Sequence, residues 1–132
     1  MANHKISIKN ESISLFLKNS KQNQQKISDL ESFYSLISGS EMVGNNSNCD
    51  QLVFKDEMWL IPEFTSGSDE LMRLFEQLNK ESNKAFTATL DNLPYSWRTT
   101  LFILPSIEPN LQVLPRSEFD KIKGKLMAVE YK

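Results

Sequence analysis

Histidine and cysteine each occur once in this chain, and that scarcity removes most of the chemistry available to a protein of 132 residues. His4 stands near the N-terminus and Cys49 inside the Asn/Ser-rich stretch 45–50, so neither has a local partner. A Ser-His-Asp or Cys-His nucleophile would need one of them carried into a cleft, and a zinc site needs more ligands than the two supply. His4 is expected to be a disordered terminal residue and Cys49 a loop residue or small core filler. No catalytic residue, metal ligand or cofactor is assigned.

Glycine is also scarce, and Gly39, Gly44, Gly67 and Gly124 form neither a dinucleotide fingerprint nor a phosphate loop. Gly67, with Thr65, Ser66 and Ser68, has a composition suited to an anion at a helix start. The carboxylates of Asp69 and Glu70 would repel that anion, so helix capping is the reading. No apolar run approaches the roughly 20 residues of a membrane span, and the N-terminus lacks the apolar stretch of a secretory signal. The chain is therefore expected to be soluble and cytoplasmic, without membrane contact; a single cysteine agrees with a reducing compartment. The net charge is −2, with no basic excess to mark a nucleic-acid binder.

Eight Phe, two Trp and 39% hydrophobic residues are enough to build a core, and the length is that of one ordinary domain. Ile6 and Ile8 alternate as in a short strand, whereas Ile13, Leu15, Phe16 and Leu17 fit either a strand or a helical turn and are read as helix. The polar stretch 19–25 reads as a flexible connector. Ile27, Leu30, Tyr34 and Ile37 share a helical stripe, Ser28 and Glu31 have the spacing of a capping box, and Gly39 follows, so a helix is expected over 28–38. The segment 39–50 is rich in Gly, Ser and Asn and reads as a surface loop.

Two strands, 51–54 and 58–62, are expected to form a hairpin around Lys55, Asp56 and Glu57. The strongest helix is 68–83, where Leu71, Phe75 and Leu78 line up and Asp69 and Glu70 suit the positive helix end. Phe86, Ala88 and Leu90 alternate as a strand, and 92–94 turns the chain. The segment 97–104 is apolar on both faces like a central strand, and Pro105 ends it. A short edge strand at 111–114, a helix at 117–123 closed by Gly124, and a C-terminal strand at 125–131 complete the chain. The fold class is α+β: a single domain with a mostly antiparallel or mixed sheet of four to six strands and two main helices packed on it. A βαβ crossover through the 68–83 helix can be embedded in it.

The carboxylate pairs Asp56/Glu57, Asp69/Glu70 and Glu118/Asp120 already have structural roles: the first in a turn, the second in a first helical turn, and Asp120 as a first-turn helix acid. Catalysis by paired carboxylates would need them brought together from different elements. Asp50, Asp56, Glu57, Glu63, Asp69 and Glu70 crowd one stretch whose sole basic residue is Lys55. If the hairpin tip and the next helix start share one end of the sheet, they form an electronegative surface for a basic partner. Tyr95, Trp97 and Arg98 gather by a turn, and these residue types often carry binding energy, although Trp97 also fits a core strand and Arg98 a solvated face.

The expected partner-binding residues are thus Asp56, Glu57, Glu63, Asp69, Glu70, Tyr95, Trp97 and Arg98. The function they imply is that of a small acidic binding protein, monomeric or dimeric, occupying a protein partner: an inhibitor or immunity-type protein, an adaptor or a chaperone. Two readings from other classes stand beside it, a histidine-independent enzyme using carboxylate and tyrosine acid-base chemistry, and a structural subunit of a larger assembly.

Overall fold

The structure, a computed structural model, describes residues 4–40, 45–62, 65–82, 87–90, 98–101, 104–109, 111–125 and 127–129. It opens with β1 (His4–Lys9), β2 (Ser12–Leu17) and β3 (Ser20–Lys26), an antiparallel sheet in that order. Each connection is two residues long, Asn10-Glu11 and Lys18-Asn19, and all four have positive φ (50, 63, 51 and 68°). Such turns follow the right-handed twist of the strands they join. Their pairing corrects three expectations. The segment 13–17 is strand, not helix; 20–26 is strand, not connector; and His4, opposite Leu17, is half-buried in β1.

The chain continues through β4 (Leu30–Ser40), β5 (Asn45–Phe54), β6 (Glu57–Pro62), α1 (Ser68–Ser82), β7 (Thr87–Leu90), β8 (Arg98–Leu101), β9 (Leu104–Pro109), β10 (Gln112–Pro115), α2 (Arg116–Ile122) and β11 (Met127–Val129). Six of these strands form the main sheet in the order β10-β6-β5-β4-β7-β11. All neighbours are antiparallel except β4 and β7. The architecture is α+β. β6 and β7 run in the same direction, so α1 makes the crossover between them, past β5 and β4.

The 28–38 helix is the largest correction: beyond a short 3-10 turn at Ile27–Asp29 the segment is β4. Its apolar residues fall on both faces, Phe33 on one and Tyr34 and Leu36 on the other, because β4 is covered on both sides. The expected 39–50 loop is largely strand, with Gly39 opposite Asn46 and Ser40 opposite Asn45; 41–44 lie outside the described residues. In place of one central strand at 97–104, β8 and β9 pair with each other, Thr100 opposite Pro105, outside the main sheet. Gly124 does not close the last helix, because the chain passes through it in a 3-10 turn, Lys123–Lys125.

Other expectations agree with the structure. β5 and β6 form the hairpin, α1 is the strong helix, β10 is an edge strand, and β11 pairs with β7. The 92–94 turn and Phe86 lie outside the described residues. No described helix is long and apolar enough to cross a membrane.

Alternation along β5 and β6 divides the core between two faces. Leu52, Phe54, Trp59 and Ile61 join Ile6, Ile13 and Leu15 of the small sheet and Leu71 and Phe75 of α1. Val53, Met58 and Leu60 with Leu36 and Cys49 take the opposite face, under Phe119 and Ile122 of α2. Burial at about 25 cal/mol per Å² of apolar surface is the main force holding these layers.

Candidate functional site

Strand register brings four chain segments together at one end of the main sheet. Leu30, at the start of β4, is opposite Phe54 at the end of β5, and Pro115, at the end of β10, is opposite Glu57. The entries to β4 and α2 therefore flank the Lys55-Asp56 turn. Five carboxylates collect around it, those of Asp29, Glu31, Asp56, Glu57 and Asp120, against the cations Lys55, Arg116 and Lys123.

Arg116 organises this end. Its Nη1 donates to the Phe54 carbonyl at 2.9 Å and to the Glu31 carboxylate, and its Nε lies 3.4 Å from Asp120 Oδ1. The guanidinium also sits 5.4 Å from the Phe119 ring centroid, and the Arg116 backbone N–H donates to the Asp56 carbonyl at 3.2 Å. The Glu31 hydrogen bond, above all, raises its pKa further, so the charge is permanent. Lys55 contributes a looser pair, 3.6 Å from Asp29 and mostly exposed, and such a pair adds little to stability.

Glu57 has an internal role that an exposed turn residue would not. Its Oε1 accepts from Trp59 Nε1 at 3.0 Å and from Gln25 Nε2 at 2.7 Å, and the same amide reaches Asp56 Oδ1 at 3.2 Å. The carboxylate thus satisfies the one polar atom of a fully buried indole and ties the hairpin to β3. Asp56 is exposed.

The expected site residues do not form one patch. Asp69 and Glu70 are exposed in the first turn of α1, which starts beyond Pro62, whereas Asp56 and Glu57 precede β6. The six residues of β6 put about 20 Å between the two groups. The hairpin carboxylates are joined instead by Asp29, Glu31 and Asp120, which sequence proximity did not suggest. Register through β4 and β10 places them there. Glu63, Tyr95 and Trp97 lie outside the described residues; Arg98 opens β8 opposite Pro109, and its side chain is outside the description.

Cys49 lies in β5 as core, and burial first, then Asp50, push its thiol up to about 12. A thiol so raised is protonated at neutral pH and a poor nucleophile. Beside it Gln51 is fully buried, its amide donating to Met58 Sδ at 3.1 Å. No group of three or more His, Cys, Asp or Glu among the described residues is placed to hold a metal ion. Comparison with known protein families, curated proteins and solved structures returns no match.

Proposed function

We propose that the protein is a non-catalytic binding protein that occupies the surface of a basic macromolecular partner with the hairpin end of its main sheet. The observation that carries this reading is the collection of five carboxylates from separate segments around the Lys55-Asp56 turn, two of them, Glu31 and Asp120, held by Arg116. Because Arg116 is anchored to Phe54, Glu31 and Asp120, this surface is held in place before a partner arrives. A preorganised surface loses less entropy on binding. Its excess of negative charge would speed the approach of a basic partner. Tyr95, Trp97 and Arg98 are proposed as a second contact, on the strength of their residue types. A cytoplasmic location belongs to the same proposal, supported by a lone cysteine kept as a thiol.

The test is affinity capture of the partner followed by association kinetics with Asp29→Lys/Asp56→Lys. Both side chains reach solvent, so the fold survives. Slower association with a weaker salt dependence is expected. Unchanged rates would remove the hairpin end as the contact surface.

A further inference from the structure

The overall charge of −2 conceals a separation of sign. The first three strands and their turns, residues 4–27, contain five lysines and a single carboxylate, Glu11, leaving ten cations against sixteen carboxylates elsewhere. Register places four of the five lysines on one face. Lys5, Phe16 and Lys21 form one row across the sheet; Ser7, Ser14 and Gln24 the next; Lys9, Ser12 and Lys26 the third. The opposite face carries Ile6, Ile13 and Leu15 into the core, so this row set is the outer one. At strand and residue spacings the four lysines mark the corners of a rectangle about 10 Å by 13 Å, with Phe16 midway along one short side.

All four are exposed, and none of them, nor Lys18 in the adjoining turn, forms an ion pair among the described residues. Lys55, Arg116, Lys121 and Lys123 each have a carboxylate partner. Among the described residues, the lysines of the small sheet are thus positive charge without a carboxylate partner. Lys21 Nζ donates only to Gln24, on the same face, at 3.2 Å.

We propose that this outer face binds single-stranded nucleic acid, the lysines neutralising backbone phosphates and Phe16 stacking on a base. A polyanion fits the uncompensated charge. What selects a nucleic acid over an acidic polypeptide is the half-buried aromatic ring between Lys5 and Lys21, flanked by the hydroxyls and amide of Ser7, Ser12 and Gln24. Carboxylates would meet the lysines and leave the ring unused, whereas every base has a face to stack on it. Lysines without arginine act as point charges and read no base edge, so binding is insensitive to sequence. The inference rests on a different surface from the proposed protein-binding one and stands or falls apart from it.

Fluorescence anisotropy with labelled oligothymidylate, across a salt series, tests it. The full chain is expected to bind at low salt, with a log–log slope that falls by about 1.4 in Lys5→Gln/Lys21→Gln and again by about 1.4 when Lys9→Gln/Lys26→Gln is added. Phe16→Leu should weaken binding about tenfold and leave the slope unchanged. Lys125→Gln, at an exposed position remote in sequence, should change nothing. The lysine variants are at exposed positions, so they decide the matter even if Phe16→Leu perturbs the sheet. Absence of binding at low salt, or binding indifferent to the four lysines, overturns the proposal. So does competition by polyglutamate at equal charge with no effect of Phe16→Leu, which would assign the face to an acidic protein.

Discussion

The Trp59 indole N–H donates to the Glu57 carboxylate at 3.0 Å, two residues back on the same strand and the same face. Trp59 is fully buried, so this bond satisfies its one polar atom. Glu57 therefore belongs to the core machinery as much as to the acidic surface.

Replacing Glu57 with Leu leaves the indole without its acceptor and the Gln25 amide with Asp56 alone. A loss of about 1–3 kcal/mol is expected in urea unfolding, while Glu57→Gln, which keeps a carbonyl oxygen in place, should lose less. Equal stability of the two variants would show that the bond contributes nothing.

Gly67 has φ +93°, and a Cβ there would lie 2.0 Å from the Ile6 carbonyl oxygen. The contact is the joint at which β1 meets the start of α1, where the Ile6 N–H donates to Ser66 at 2.8 Å. Gly67→Ala should cost about 2–4 kcal/mol, combining backbone strain and overpacking. Gly124→Ala, with open space around it, should be neutral or slightly stabilising.

The Cys49 thiol gives a defined pH signature. Its pKa is raised in the folded protein from 9.0 to about 12, so folded and unfolded chains are both protonated below pH 9 and stability there is intact. Between 9 and 12 the unfolded chain releases this proton and the folded one retains it, lowering stability by at most about 1.4 kcal/mol per pH unit. Urea unfolding from pH 7 to 10.5 should show this loss in the native chain and not in Cys49→Ala. Parallel pH profiles would refute it.

Glu11 holds a positive φ of 63° in a two-residue turn after Asn10. Only glycine adopts that conformation without strain, so Glu11→Gly should stabilise the first hairpin by about 0.5–1 kcal/mol, measured as a rise in Tm. A fall would mean that the glutamate side chain makes a contribution exceeding the strain.

Legibility in the sequence followed locality. The β5–β6 hairpin, α1 and the α+β class were readable because their signals lie within one element: Leu71 and Phe75 at helical spacing, Met58 to Ile61 as an apolar run. β4 was not, because Leu30, Tyr34 and Ile37 match a helical stripe as well as they match a strand covered on both faces. Among candidate site residues, Asp56 and Glu57 were singled out, but Glu31, Asp120 and Arg116 were not, since nothing in the sequence near them announces a shared end of the sheet.

What the sequence determined by itself was the inventory: a single thiol and a single imidazole, a core's worth of aromatics, and a basic first segment in an acidic chain. Tertiary structure decided where the inventory acts. Pairing with β2 turned the polar segment 20–26 into strand, and antiparallel register set Lys5, Lys9, Lys21 and Lys26 on one face. Pairing of β4 with both β5 and β7 fixed it as strand against its own helical periodicity. The physical reason is the same in each case. Strand pairing is a non-local interaction, so the face a side chain occupies depends on partners far away in the chain.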